Sequence, residues 1–241
     1  MSAFETILLE KANGVAWVTL NRPRVLNAYN IKMRDELFET LGLIASDSDV
    51  RVAVFRGAGE KAFCAGADLT EFGSAPSQAI ARQVRFERDV WHRFLSLRQP
   101  LIAAIHGYCL GSGIEIALCC DIRIASPEAK FGLPETGLGM IPAAGGTQTL
   151  PRIVGIPRAM EAVLTGRTME APEAKRIGLV NSIEAKDDFF AKAQRLAEDL
   201  AALPPRALAY AKEAVHRGAD LSLANGLEIE RKLTARLAGA A

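Results

Sequence analysis

Residues 101 to 125 have the sequence LIAAIHGYCLGSGIEIALCCDIRIA, and this stretch decides the fold class. It begins with a short apolar run, Leu101 to Ile105, which is typical of a buried strand. A glycine turn from Gly107 to Gly113 follows and opens a short apolar helix at about residues 114 to 120. A second strand is expected from Asp121 to Ala125. Strand, helix and strand therefore alternate, which favours an α/β fold.

The N-terminal side continues this alternation. β-rich segments at 4–10 and 15–20 flank Asn13-Gly14, which is a strong signal for a tight hairpin. Asn30 is a candidate N-cap for a helix whose apolar stripe contains Met33, Leu37, Leu41 and Ile44. A strand is expected at 50–55, then a loop rich in glycine and alanine at 57–67, and then a long charged helix at about 77–97.

The C-terminal side has a different character. A turn-rich stretch with four glycines occupies residues 134–146. Beyond about residue 186 the strand signals stop, and helical patterns follow at 187–203, 205–217 and 221–238. Pro204-Pro205 separates the first two of these helices. We predict an α/β core at 1–186 and a helical region at 187–241 that docks on this core or on a neighbouring subunit.

Composition excludes several classes of function. The chain has 241 residues, of which 49% are hydrophobic, and 29 Lys and Arg balance 28 Asp and Glu, so it has no general field for nucleic acid or an anionic membrane. Its N-terminus lacks the pattern of a signal peptide, and no apolar run approaches the roughly 18 residues that span a bilayer. Four cysteines without a CxxC pair indicate buried thiols rather than metal ligands. We expect a cytoplasmic protein without a metal, membrane or nucleic-acid partner.

Three segments carry the candidate chemistry, namely CAGADL at 64–69, HGYCLGSGIE at 106–115 and LPETGLG at 133–139. Glycines between a strand and a helix let backbone N–H groups point into a cavity, where they stabilise negative charge on an oxygen. Glu115 places a carboxylate in an apolar helical segment, which is costly for a merely solvated charge. The non-functional alternatives are that Glu115 caps its own helix and that Glu135 is an exposed loop acid.

Two other functional motifs were compared with the same residues, and neither matches. The run from Gly111 to Ile116 lacks the third glycine of a dinucleotide-binding fingerprint. A serine-hydrolase elbow needs a glycine two residues on either side of its serine, but Leu110 and Ile114 occupy those positions around Ser112.

The runs HGYCLGSGIEIALCCDIRIAS (106–126) and FGLPETGLGMIPAAGGTQTLPR (131–152) closely resemble the enoyl-CoA hydratase/isomerase (crotonase) family. The resemblance extends upstream through LNRP (20–23), LNA (26–28) and AFCAGADLTEF (62–72), and it covers nearly the whole chain. It implies a crotonase-like spiral of ββα units, a C-terminal helical region used for oligomer contacts, and a homotrimer or homohexamer. The chain ends soon after a helix that resembles the family's penultimate segment, so we expect the final segment to be absent.

The resemblance also implies site residues. The backbone N–H groups of Ala67 and Ser112 would form an oxyanion hole, and Glu115 and Glu135 would be the catalytic pair. Ser112 stands where many members have glycine, so we expect it to narrow the site. The residues implied to bind the substrate and its CoA are Arg24, Ala28, Ala65, Ala67, Asp68, Leu69, Thr70, Gly111 and Ser112. No separate cofactor is implied, because coenzyme A is part of the substrate.

Family hydratases use two glutamates, whereas its isomerases typically retain only the second acid, so the presence of both predicts hydration. The predicted reaction adds water across the 2,3-double bond of an enoyl-CoA to give a 3-hydroxyacyl-CoA, through a thioester enolate, in fatty acid metabolism such as beta-oxidation. Four alternatives stay open: an isomerase, a cyclic enoyl-CoA hydratase, a thioester hydrolase with Ser112 as nucleophile, and a non-catalytic relative that binds CoA or RNA. His106 is expected to orient a loop rather than to act as a base.

Overall fold

The computed structural model describes residues 4–71, 77, 80, 83–84 and 87–239. The strands in this part of the chain are β1 (Ile7–Ala12), β2 (Val15–Leu20), β3 (Val52–Gly57), β4 (Ala62–Cys64), β5 (Leu101–Ile105), β6 (Tyr108–Leu110), β7 (Ile122–Ala125), β8 (Lys130–Gly132), β9 (Met169–Glu170) and β10 (Ser182–Ile183). The helices are α1 (Ile31–Ser46), α2 (Val90–Ser96), α3 (Ser112–Leu118), α4 (Gly146–Val154), α5 (Ile156–Thr165), α6 (Ala171–Arg176), α7 (Phe189–Ala201), α8 (Pro205–Gly218) and α9 (Leu223–Leu237).

The strands form two sheets. The larger sheet has the order β1-β2-β3-β5-β7-β10, and the smaller has the order β4-β6-β8-β9. β1 and β2 pair antiparallel, with Ala12 opposite Val15, so the predicted hairpin is confirmed. Asn13 and Gly14 both have positive φ (53° and 77°), as a two-residue hairpin turn requires. From β2 through β10 the larger sheet is parallel.

Alternate residues of the central strands face two hydrophobic cores. Val54 and Ile102 pack against Phe189 of α7. Phe55 and Ala103 point the other way, into the larger core that also contains the buried side chains of α1. Because both faces are covered, the central strands read as continuous apolar runs in the sequence.

Helix α1 is fixed at its start and along its length. Asn30 Oδ1 accepts the N–H of Met33 at 2.9 Å, which confirms the predicted N-cap. The predicted stripe is also confirmed, since Met33, Leu37, Leu41 and Ile44 are all buried. Glu36 is buried as well, and its carboxylate accepts the N–H groups of residues 5, 6 and 7, so that it ties α1 to the beginning of β1.

The smaller sheet was not foreseen. β4 lies in the predicted 57–67 loop, and β6 lies in the predicted glycine turn. Strands of two or three residues are too short to show alternation, so the sequence pattern does not reveal them. Of the predicted 77–97 helix, α2 is seen, whereas residues 72–76, 78–79, 81–82 and 85–86 lie outside the described part of the chain.

The three C-terminal helices match the predicted ranges to within three residues. α8 is attached to the core of its own chain through Lys212, whose Nζ donates to Asp121 Oδ2 (2.8 Å) and to the carbonyl oxygen of Gln99 (2.9 Å). His216 Nε2 lies 3.0 Å from Asp121 Oδ1. Among the helices seen in this structure, none has the combined length and apolar character that crossing a bilayer demands.

Candidate active site

The first element of the site is the segment around Ala67. The N–H of Tyr29 donates to Gly66 O, and the N–H of Asp68 donates to Tyr29 O, both at 2.8 Å. In such a parallel bridge the residue between the two bonds, here Ala67, directs its own N–H away from the partner strand. That N–H has no acceptor within the described ranges. It is therefore available to an oxygen of a ligand.

The second element is the start of α3. A Cβ on Gly113 would lie 2.2 Å from the carbonyl oxygen of Cys64, so only glycine lets α3 begin directly against the end of β4. Gly111 has a positive φ of 50°, and a Cβ there would lie 3.4 Å from Gly66 Cα. The Ala67 and Ser112 segments are thus in contact. The N–H of Ser112 likewise has no acceptor among the residues described here.

Glu115 lies one turn into α3 and is 2% exposed. Its Oε1 accepts the N–H groups of Ala144 and Gly146, both at 2.9 Å. These donors belong to a distant loop and to the start of α4, so capping of its own helix does not explain this carboxylate. The two bonds fix the direction of the carboxyl group through Oε1.

The fourth element of the site is Glu135, which lies in a short 3-10 helix, Pro134–Leu138, beside Gly111. Its Oε1 would be 3.0 Å from a Cβ on Gly111, and its Oε2 is buried without a hydrogen-bond partner in the described part of the chain. Burial raises the pKa of Glu135 above its ordinary value, against a smaller opposite effect of its own backbone N–H. This environment is not that of an exposed loop acid, and it favours a protonated carboxyl group.

The residues predicted to bind CoA fall into two groups. Arg24 is exposed and lines a pocket of about 350 Å³ together with Lys61, so both cations are accessible to an anion. Asp68 is already engaged, because its carboxylate accepts from Arg22 (2.8 Å) and from Thr70 Oγ1 (2.6 Å). Hydrogen bonds from Thr70 and Arg22 hold the pKa of Asp68 below its ordinary value. The side chain of Asp68 therefore orders the loop.

The remaining predicted residues act through the backbone or lie on the surface. The Ala65 N–H donates to Leu26 O at 3.0 Å, and Ala28 O accepts from Arg22 Nη1 at 2.6 Å. Leu69 is 55% exposed beside these loops. No group of three or more His, Cys, Asp or Glu side chains in the described ranges could hold a metal ion. All four cysteines are free and buried.

His106 contacts a loop, as predicted. Its Nε2 lies 2.9 Å from Gly59 O, and burial lowers its pKa. Its ring packs edge-on against Phe189 and Phe190, which are on α7. The contact with Gly59 O is what we expect of a residue that orients the 57–61 loop.

Three contributors to the site were missed by sequence reasoning. Asn27 is fully buried in a left-handed conformation, and its side chain bonds Arg22 N, Ala58 O and Ala62 O. Its position within the LNA run was the available signal. The N–H groups of Ala144 and Gly146 gave no signal, because a backbone donor is not visible in residue type.

Comparison with known proteins gives consistent results. A family model described as Enoyl-CoA hydratase/isomerase matches residues 10–239. The chain is 40% identical to a short-chain-enoyl-CoA hydratase of Clostridium acetobutylicum, over 93% of this chain and 86% of that protein. It is 38% identical to an (E)-benzylidenesuccinyl-CoA hydratase of Thauera aromatica, over 92% of this chain and 86% of the other. The crystal structure of an enoyl-CoA hydratase from Bacillus anthracis superimposes with a TM-score of 0.90 at 41% identity, and the match covers 95% and 90% of the two chains.

Proposed function

Because the chain belongs to the enoyl-CoA hydratase/isomerase family, we propose that it adds water across the 2,3-double bond of an enoyl-CoA and releases a 3-hydroxyacyl-CoA. One observation carries this proposal: the backbone N–H of Glu115 donates to Gly111 O at 3.1 Å, and Glu135 Oε1 would lie 3.0 Å from a Cβ on Gly111, so residues of two different elements flank Gly111. Addition of water requires one proton to leave the water and another to reach C2, and two carboxyl groups divide that work.

In the proposed mechanism, the thioester oxygen accepts the N–H groups of Ala67 and Ser112. As the water oxygen bonds to C3, the electron pair of the double bond moves toward the thioester, whose oxygen becomes enolate-like. The two N–H donors stabilise this charge, and loss of one such donor typically lowers the rate ~100- to 1,000-fold. Collapse of the enolate then takes up a proton at C2.

The environments of the two acids suggest their roles. Glu135, whose pKa is raised by burial, is suited to deliver the proton to C2. Glu115, held by two N–H donors, is suited to take the proton from the attacking water. At the end of one cycle Glu115 holds a proton and Glu135 lacks one, and exchange with solvent restores the pair.

The alternatives have less support. Isomerisation moves one proton between C2 and C4 and needs only one of the two acids. Thioester hydrolysis through Ser112 needs a base bonded to its hydroxyl, and Ser112 Oγ has no hydrogen-bond partner among the residues that the structure covers. RNA binding is disfavoured by the balanced charge.

Assembly and cellular context are also proposed. We expect a homotrimer or homohexamer, since Ile156, Met160 and Leu164 form an exposed apolar stripe on α5. We expect the enzyme to work in the cytoplasm on fatty acyl-CoAs, as in beta-oxidation. Free, buried cysteines agree with a reducing compartment.

The test compares hydration of crotonyl-CoA by the unmodified protein, Glu115→Gln and Glu135→Gln. The glutamine at 115 keeps an oxygen for the Ala144 and Gly146 N–H groups, so the fold is retained while the base is lost. We expect each change to lower kcat by ~100-fold or more. Glu170→Gln, an exposed matched control, is expected to have full activity.

Product analysis in ¹⁸O-labelled water completes the test. Hydration places the label on C3, whereas isomerisation incorporates none. If CoA thioesters bind but none is hydrated, the hydratase proposal is wrong.

A further inference from the structure

A pocket of about 240 Å³ lies between the first turn of α1 and the segment that follows Ala67. It is lined by Tyr29, Asn30, Ile31, Arg34, Ala67, Asp68 and Glu71. Because Ala67 belongs both to this wall and to the proposed oxyanion hole, a group in the pocket is adjacent to the thioester site. The pocket is therefore placed to receive the part of the acyl group beyond the reacting carbons.

Tyr29 is one of the residues that line this pocket. Its Oη has no hydrogen-bond partner in the described ranges, and its ring packs on Trp91 with 5.8 Å between centroids. Burial raises the pKa of the Tyr29 phenol, which the Arg34 guanidinium lowers and the Glu115 carboxylate raises further. The phenol thus stays protonated, and it feels the charges of Glu115 and of Arg34.

Arg34 supplies a second unused donor. Its side chain is 19% exposed, and its Nε and Nη2 both bond to Asp35 Oδ1, at 2.9 and 2.8 Å. Its Nη1 has no partner among the residues described. The single negative charge of Asp35 is shared between two cations, because Arg88 Nε also approaches the same Oδ1 at 3.7 Å.

The two acids in the wall of the pocket are already engaged. Asp68 is paired with Arg22 at 2.8 Å. Glu71 Oε2 accepts the N–H of Ile31 at 2.7 Å. Tyr29 and Arg34 therefore bring to this pocket two donors for which the described ranges supply no acceptor.

We propose, building on the hydratase function above, that this pocket selects enoyl-CoAs whose acyl group ends in a carboxylate. Arg34 Nη1 and the Tyr29 hydroxyl each donate to one of its oxygens. Hydrogen bonds between ionised groups are about twice as strong as neutral ones. An acyl group that ends in a methyl would leave both donors unpaired, which lowers affinity.

The experiment measures hydration of two acids and their neutral partners. The acids are glutaconyl-CoA, with five acyl carbons, and hex-2-enedioyl-CoA, with six. Each is compared with its own methyl ester, which has the same acyl carbons without the charge. We expect the unmodified enzyme to favour at least one acid over its ester by about tenfold or more in kcat/KM.

Variants assign this preference to the two residues. Arg34→Met is expected to lower kcat/KM for the acid about tenfold or more and to leave the ester within about twofold, so that the preference disappears. Tyr29→Phe is expected to lower the preference less, because it removes a neutral donor. Arg195→Met, an exposed arginine on α7, is the matched control. If Arg34→Met does not fold, Arg34→Lys and Tyr29→Phe carry the test.

The outcomes separate this inference from the hydratase proposal. An enzyme that hydrates acid and ester equally, or an Arg34 variant that loses both in parallel, overturns the inference and leaves hydration intact. If no enoyl-CoA is hydrated, the proposed function is wrong. Calorimetric binding of glutaryl-CoA and its methyl ester, which contain no double bond, then decides the pocket's selectivity without turnover.

Discussion

Carboxyl groups in this chain serve different purposes, and their surroundings distinguish them. Glu36 accepts three backbone N–H groups and an Oγ1–H bond from Thr6, as a structural acceptor does. Glu115 accepts two N–H groups beside the proposed reaction site. Glu135 differs from both, since one of its oxygens is buried without a partner in the described part of the chain. Such an unsatisfied acid costs stability and is typical of a functional group.

Glu135 should make stability fall as the pH rises. Folding raises the pKa of its carboxyl group above the ordinary value of 4.5, so the folded state holds the proton more tightly than the unfolded state. The resulting stabilisation is present below pH 4.5 and is lost as pH rises through the raised value. We expect the Tm of Glu135→Gln minus the Tm of the unmodified protein to increase as the pH rises. Thermal denaturation from about pH 4 to about pH 8 measures this difference.

The same series with Glu170→Gln controls for loss of a surface charge. Curves for Glu135→Gln and the unmodified protein that run parallel at every pH would contradict the prediction.

The side chains of the candidate site could be identified from the sequence, but the backbone groups that hold them in place could not. Glu115 could be singled out because a carboxylate interrupts an apolar helix. The N–H groups that hold it come from residues 144 and 146, which sequence pattern cannot connect to α3. As an aromatic residue next to the LNA run, Tyr29 suits either the wall of an acyl cavity or plain packing, and the sequence does not distinguish the two.

Helices and long strands were predictable, whereas the short strands were not. α1 contains both a capping residue and a buried stripe that runs from Met33 to Ile44, so local signals agree with its tertiary role. β4, β6 and β8 have three residues each, and their existence depends on pairing with one another. This pairing brings the ends of β4 and β6 together and positions the Ala67 and Ser112 segments.

The attachment of α8 depends on a nearly buried ion pair. The side chains of Lys212 and Asp121 are 12% and 18% exposed. Burial alone would raise the pKa of Asp121, but the hydrogen bond of His216 and the charge of Lys212 lower it. We expect Lys212→Met to weaken the attachment of α8 by about 1–3 kcal/mol, because Asp121 loses its nearest cation.

Hydrogen–deuterium exchange measures this change directly. Amides of α8 and α9 should exchange faster in Lys212→Met while β3 and β5 stay protected. Lys232→Met, which removes an exposed lysine of α9, is the control. Uniformly faster exchange over the whole chain would contradict local detachment.

Family membership confirms the predictions of an α/β crotonase fold and of an enzyme of this family. The exact reaction, the site residues and the division into residues 1–186 and 187–241 stay predictions. The resemblance assigned oligomer contacts to the C-terminal helices. On α5, Ile156 is 70% and Leu164 is 64% exposed.

Exposed apolar side chains on α5 should be covered in the assembled protein. We expect the unmodified chain to sediment as a trimer or hexamer, and Ile156→Glu with Leu164→Glu to shift it toward smaller species, because a charge in an apolar contact is costly. Sedimentation velocity measures the distribution. Leu43→Glu, which changes an exposed leucine of α1, should have no effect. Unmodified protein that sediments as a single chain would contradict the assembly proposal.

The bonds from Ala144 and Gly146 to Glu115 have a consequence for heat inactivation. One donor lies in an irregular loop and the other begins α4, whereas Glu115 is set in the core. Loops open at lower free energies than cores, so the two hydrogen bonds to the Glu115 carboxylate should break before the sheet unfolds. We therefore expect warming to inactivate the enzyme while most of its secondary structure is still in place, and cooling to restore activity as the loop closes.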